Sequence, residues 1–433
     1  MFTCDNLGVN SAGHLTFAGQ DTAALAARYG TPLYLTDEAR IRHNCRVYRD
    51  AMRECFGENA LTLYASKANS FTHIYRIMSD EGMGVDVVSR GEIHTAAKAG
   101  FDLSRAFYHG NAKSDADIAY AMERGVGCFV VDNEDELHAV EAEAAKRGMT
   151  QRILLRVTPG IDPHTYEAVN TGMVDSKFGR AIATGQAAEI TRLALALPHI
   201  RLLGFHCHVG SQVFAEDVFE RATDVMLRFI AEMRDTLGFT ASLLDLGGGC
   251  GVRYVDDDPT PDVAAKLREI ARVFHRVCDE LSLPEPAVAL EPGRSIVADA
   301  GLTLYTVQSV KRIPGYKNYV AVDGGMTDNP RFALYKSRYT VLPADNMNAS
   351  RTLPCDLAGC CCESGDILQP NVALPDTIRR GDLVAVCTTG AYNYAMASNY
   401  NRVPRPPVVM LRDGDSYVAV RRESLDDLTD LDA

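Results

Sequence analysis

The sequence predicts an α/β fold, a closed (β/α)8 TIM barrel, joined to a C-terminal all-β domain of sandwich or barrel type. Three observations predict it. Eight short apolar runs of strand character recur between residues 61 and 291, separated by segments of helical periodicity. Polar or turn-forming residues stand at or just past the C-terminal end of each run. After about residue 296 the texture changes to short strand-like runs parted by Gly, Asp and Pro.

In chain order, segment 1–35 holds one short helical pattern, Thr22 to Tyr29, and is expected to pack with the β domain. Residues 36–295 carry the eight runs: Leu61–Ser66, Gly84–Val88, Arg105–Tyr108, Cys128–Val131, Ile153–Val157, Leu202–Cys207, Ser242–Leu246 and Ala287–Leu290. Ala187 to Leu197 and Ala264 to Leu281 exemplify the helices between them. Such alternation marks parallel βαβ units, and eight of them suggest closure, with a doubly wound open sheet as the alternative. Closure is favoured by the positions of Lys67, Asp86, His109, Asp132, Pro159, His208, Gly247 to Gly249 and Glu291 at the strand ends. In a barrel those ends share one face, where active sites are built. Residues 296–433 supply Leu302–Ser309, Tyr319–Val322, Ser337–Leu342, Thr352–Leu357, Leu383–Cys387, Pro407–Leu411 and Ser416–Val420 as strands of the second domain.

Composition narrows the function. With 46% hydrophobic and 23% charged residues in 433, neither a disordered chain nor a coiled coil fits. A net charge of −13 and the lack of any long Lys/Arg run argue against a nucleic-acid partner. No basic-then-apolar leader opens the chain and no eighteen apolar residues run uninterrupted, so a cytoplasmic protein without membrane contact is expected. Twelve cysteines without a Cys-x-x-Cys pair suit a reducing compartment. The adjacent thiols of Cys360, Cys361 and Cys362 cannot all turn toward one tetrahedral zinc, so no metal is expected there.

Five segments could carry chemistry. Lys67 follows the first run; burial there would lower its ammonium pKa and leave an amine able to form an imine with an aldehyde cofactor. A surface lysine at a strand end is the plainer reading. Gly247, Gly248 and Gly249 end the seventh run, and their bare backbone could surround a phosphate or simply make a tight turn. Their spacing is neither G-x-G-x-x-G nor a P-loop, which disfavours NAD and ATP. Glu291-Pro292-Gly293-Arg294 puts a carboxylate and a guanidinium after the last run, either for a heterocyclic NH⁺ and an anion or as an internal ion pair. Dispersed charge is screened beyond roughly 8 Å, while one contacting arginine is worth on the order of 4 kcal/mol per unit charge, so the net −13 does not exclude an anionic ligand. His208 can lie flat against an aromatic ring with Ser211 near a phosphate oxygen, or join His206 as a zinc pair. Cys362 could donate a proton or merely fill space.

Taken together, Tyr-Ala-x-Lys-Ala-Asn at 64–69, His-Val-Gly-Ser at 208–211, Gly-Gly-Gly, Glu-Pro-Gly-Arg, Cys-Glu-Ser-Gly-Asp at 362–366 and Gly-Ala-Tyr at 390–392 resemble the pyridoxal-phosphate decarboxylases with an alanine-racemase-like barrel. Within that group the chain looks most like the diaminopimelate decarboxylases. Thr171 to Gly179, Arg331 to Tyr335 and Ser398 to Asn401 add the more family-specific pieces. The resemblance implies pyridoxal 5'-phosphate as cofactor, Lys67 as the Schiff-base lysine, His208 stacked on the ring and Glu291 at its nitrogen. Asp86, Pro292 and Gly293 would complete the surround, and Ser211, Gly247, Gly248, Gly249, Arg294 and Tyr392 would meet the phosphate. Arg294, Arg331, Tyr335, Glu363 and Tyr392 would contact an amino-acid substrate. Cys362 would be the general acid, supplied by the partner in a homodimer with shared active sites. Cys360, Cys361 and Phe332 depart from the family's usual residues but remove no catalytic group. A sibling decarboxylase for ornithine, arginine or a D-amino acid, an alanine racemase and a non-catalytic homologue are the alternatives.

Overall fold

Each of the eight apolar runs forms a strand: β1 Leu61–Ala65, β2 Gly84–Val87, β3 Ala106–Tyr108, β4 Cys128–Val131, β5 Gln151–Thr158, β6 Ile200–His206, β7 Leu243–Asp245 and β8 Ala287–Leu290. The computed structural model describes residues 2–161, 176–215 and 217–433. Neighbouring strands pair in parallel throughout, and β8 returns to β1 through Ala289 opposite Leu61, so the sheet closes. The open-sheet alternative is thereby excluded. By contacts the chain divides into two units, one of Asn44–Gly251 and Pro261–Gly293 that holds the barrel, the other of Met1–His43, Val252–Thr260 and Arg294–Ala433.

Helices follow the strands for local reasons. Glu134–Lys146, for example, starts where Asn133 accepts the Glu136 N–H, and three acidic residues occupy its first turn against the positive end of the helix dipole. Asp115–Glu123 opens with a reciprocal Ser114–Asp117 capping box. Inside the barrel, Leu63, Phe107, Cys128, Val130, Leu154, Leu243 and Ala289 pack as an apolar layer. Side chains alternate across a strand, so residues two apart share a face. Two positions beyond Phe107, Val130, Leu154, Leu243 and Ala289 stand His109, Asp132, Arg156, Asp245 and Glu291. The pleat thus carries the inner face from an apolar floor to a polar mouth at the C-terminal ends.

The second unit is built on a sheet in the order Ile367–Leu374, Leu353–Ala358, Lys317–Val322, Gly301–Ile313, Leu33–Asp37, Val408–Arg412 and Asp415–Val420. Leu383–Cys387 pairs with both Gly301–Ile313 and Val341–Pro343. Leu33–Asp37 is central and wholly buried, antiparallel to one neighbour and parallel to the other. Ser337–Leu342, expected as a strand, is one only at Val341–Pro343, because Arg331–Tyr335 is helical and Lys336 turns the chain at φ 55°. Ile367–Leu374 was not expected; Pro370 sits within it, tolerated because the strand lies at the sheet edge.

This unit contains a buried acid with a consequence for stability. Asp328 accepts the Gly325 N–H at 2.8 Å and the Tyr305 phenol, and the Tyr34 phenol donates to its carbonyl at 2.5 Å. Burial pushes its carboxyl up to about 7 from an ordinary 3.8. A raised carboxyl pKa means the folded chain keeps a proton that the unfolded chain releases above about pH 4, so stability falls as pH rises from there through about 7. Asp328→Asn is expected to flatten that fall. Melting temperatures of both proteins between pH 4 and 8 check it, and parallel curves would refute it.

Candidate active site

Lys67 leaves β1 in a short 3-10 turn, Ser66–Ala68, and its Nζ lies 3.9 Å from Asp86 Oδ2 at the end of β2. Its side chain is 45% exposed, which corrects the expectation of a desolvated amine. The turn lifts the lysine clear of the apolar layer and brings its Nζ toward the Asp86 carboxyl. Asp86 itself is buried, with no hydrogen-bond partner for either oxygen among the described residues. Burial, with the charge of Glu291 adding to it, keeps its carboxyl raised although His109 opposes the shift.

Glu291 stands one residue past β8, buried between two imidazoles. His109 Nε2 is 2.6 Å from its Oε1 and His206 Nε2 is 3.2 Å from its Oε2. Burial alone would raise its pKa, but His109 and His206 outweigh burial and hold the carboxyl well below the usual range. Burial pushes the His206 imidazole down to about 3 and His208 well below 6.5, so both are neutral at pH 7. Asp245, the last residue of β7, goes the other way, pushed well up by burial and by the charge of Glu291. At the barrel mouth Glu291 therefore stays charged, while burial and the Glu291 charge both oppose ionisation of Asp245. Of the two histidines weighed as a zinc pair, His206 joins His109 and Glu291, while His208 Nδ1 accepts the Gly248 N–H at 3.3 Å.

The glycine loop is pressed between neighbouring turns. A Cβ on Gly248 would come within 2.1 Å of the Glu291 carbonyl oxygen, and one on Gly249 within 2.2 Å of that of Gly210. The Gly247 N–H donates internally to Asp245 Oδ1 at 2.8 Å, so it is not open to an external anion, contrary to the expectation for all three glycines. Pro292 and Gly293 complete the wall: the Pro292 carbonyl accepts the Ala65 N–H, and a Cβ on Gly293 would meet that of Ala65 at 2.9 Å. Ser211 follows the His208 turn. Arg156, to which no role was given, is half-buried in β5 with its guanidinium over the Phe178 ring at 4.4 Å. Thr171 to Asp175 of the family-specific piece lie outside the described residues.

In the second unit, Arg294 donates to the Tyr254 phenol at 2.8 Å and lies 4.8 Å over the Tyr392 ring. Arg331 lies over the same ring at 5.2 Å and over Tyr335 at 4.5 Å. Both arginines are buried, and Arg331 Nε has no partner among the described residues. Two guanidiniums gathered on one phenol ring form a cationic seat for anions. Tyr392 is held at φ 61°, a conformation rare for a bulky residue and common at functional sites. Tyr254 was not singled out in the sequence. Cys362 and Glu363 are exposed on a bend fixed by Cys361 N–H to Asp366 Oδ2 at 2.7 Å and Cys362 N–H to Asn401 Oδ1 at 2.9 Å.

The barrel residues suit a pyridine aldehyde: an accessible amine, a buried charged carboxylate for a ring N–H⁺ and glycines too closely packed for any side chain. The chain belongs to the pyridoxal-dependent decarboxylase family, whose pyridoxal-binding domain matches residues 38–298. Its relatives there are diaminopimelate decarboxylases. That of Halalkalibacterium halodurans is 43% identical over 100% of this chain and 98% of its own length, and that of Bacillus subtilis 42% over 98% and 96%. The crystal structure of diaminopimelate decarboxylase from M. jannaschii in complex with L-lysine superposes with a TM-score of 0.92 at 30% identity, covering 100% of this chain and 99% of that one. Among the described residues no helix is long and apolar enough to cross a membrane.

Proposed function

We propose that this protein decarboxylates meso-2,6-diaminopimelate to L-lysine and CO₂, the last step of lysine biosynthesis, with pyridoxal 5'-phosphate as cofactor, in the cytoplasm. The observation that carries the substrate is Arg331, a buried guanidinium whose Nε lacks a partner: a substrate with a second, distal carboxylate supplies one. Full-length similarity to diaminopimelate decarboxylases supports the same reading. When bound, the cofactor supplies an electron-withdrawing ring that takes up the electrons of the broken Cα–carboxylate bond.

The chain's own residues do the rest. Lys67 would hold the cofactor through its amine. Glu291 keeps the ring nitrogen protonated, since its carboxyl stays charged under the two imidazoles. His208, neutral under its burial, would stack on the ring, and Asp86 stands beside the Lys67 amine. Ser211 and Gly249 would hold phosphate, with Gly248, Pro292 and Gly293 shaping the wall. Of the second unit, Arg294 and Tyr392 serve phosphate and substrate, while Arg331, Tyr335 and Glu363 read the distal end. Cys362 returns a proton to Cα, a contribution of roughly 10²–10⁴ in rate for a general acid. Because Cys362 and Glu363 are exposed on the single chain, we assign them to the partner's site in a homodimer.

The test is incubation of the purified protein with pyridoxal phosphate and meso-diaminopimelate, with lysine and CO₂ as the readout. Ornithine and arginine run in parallel, and equal turnover of either would place the chain among the sibling decarboxylases.

A further inference from the structure

We propose that His109 is a positioning residue for the cofactor's ring nitrogen, acting through Glu291. The inference rests on the reading that Glu291 faces that nitrogen. His109 ends the inner face of β3 two positions beyond Phe107, and its buried Nε2 lies 2.6 Å from Glu291 Oε1. His206 takes the other oxygen at 3.2 Å, and the two rings meet edge to face with centroids 4.8 Å apart. A carboxylate hydrogen-bonded at one oxygen and met at the other by a close imidazole is restricted in turning about its terminal bond.

His109 differs from His206 in having a second acidic neighbour. Its Nε2 is 3.7 Å from Asp86 Oδ1, and Asp86 Oδ2 is 3.9 Å from Lys67 Nζ. Lys67, Asp86, His109 and Glu291 therefore form one row across the barrel mouth, from the amine that takes the aldehyde to the carboxylate that takes the ring nitrogen. Asp245 and Arg156 lie close enough to Glu291 to act on it or feel its charge. Only the two imidazoles pair with the Glu291 oxygens among the ion pairs of the described residues. Losing the His109 contact leaves His206 and Asp245 against the buried charge, with less to fix its direction toward the ring. The loss is specific to a cofactor that has a ring N–H.

The experiment compares the affinity of cofactor-free protein for pyridoxal phosphate and for its 1-deaza analogue, in which carbon replaces the ring nitrogen. Both are followed by absorbance titration in wild type, H109L, H109N and H109Q. Wild type is expected to prefer pyridoxal phosphate. H109L should lose about 10- to 100-fold in affinity for pyridoxal phosphate, as for a lost polar contact to a buried charge, and little for the analogue. H109N, whose amide stops short of Glu291, should behave likewise and serves if H109L does not fold. H109Q, with an N–H that reaches further, should recover most of the preference. Equal weakening of both ligands in H109L or H109N, or no recovery in H109Q, overturns the role of His109. A wild type that binds both ligands alike overturns the Glu291 reading itself, and the inference with it.

Discussion

Lys67→Ala is expected to abolish lysine formation, lowering kcat/KM by about four orders of magnitude or more, and to leave the protein colourless when mixed with pyridoxal phosphate. The fold should survive. Lys67 is 45% exposed and its contact with Asp86 spans 3.9 Å, so little packing is lost with the side chain. Asp86 keeps His109 at 3.7 Å, and burial already raises its carboxyl, so it can take a proton when the ammonium is gone. Lys67→Arg separates the two roles of the side chain, because it retains a cation near Asp86 but no amine able to bond an aldehyde. Both variants should be equally inactive and melt within a few degrees of wild type. CO₂ release by either within about 100-fold of wild type, with diaminopimelate as substrate, would remove Lys67 from the reaction.

The barrel was legible because its interior demands it: each strand must fill the same closed layer, which leaves an apolar run wherever the chain crosses the core. The mouth was legible only in part. Lys67, Glu291 and the glycines stood out as residue types, whereas His109, Arg156 and Asp245 received no role. A signal for them existed in the period of two, since each stands two positions past a core residue. What the period does not reveal is which partner lies across the barrel. His109 meets Glu291 because closure brings β3 and β8 to one rim, a contact between residues far apart in sequence. Exposure was likewise hidden, and the turn at Ser66–Ala68 makes Lys67 more open than its place at a strand end suggested. In the second unit the Pro370-Asn371 pair masks an edge strand, and Asn371 at φ 54° is the irregularity that local pattern reads as a loop.

Cys362→Ala should cut kcat by about 10²- to 10⁴-fold while leaving cofactor binding and colour intact, as expected for a group that only delivers a proton. The thiol is exposed and its bend is held by backbone donors to Asp366 and Asn401, so truncating the side chain leaves those bonds in place. If Cys362 serves the partner's site, two dead proteins can rescue each other. Mixing subunits of the Lys67→Ala and Cys362→Ala variants in equal amounts makes half the dimers heterodimers. In each heterodimer one of two sites joins an intact Lys67 to the partner's intact Cys362. About a quarter of wild-type activity should then return, since a symmetric dimer builds both sites from the same pair of surfaces. A cysteine acting within its own chain gives no recovery, because every site in the mixture then lacks either the amine or the thiol. Exposed Leu334 and Tyr400, 57% and 45% accessible in the single chain, are apolar surface of the unit that carries Cys362. Charged substitutions at those two positions should abolish the rescue together with the dimer, which sedimentation would show, without altering the Lys67 pair in the barrel.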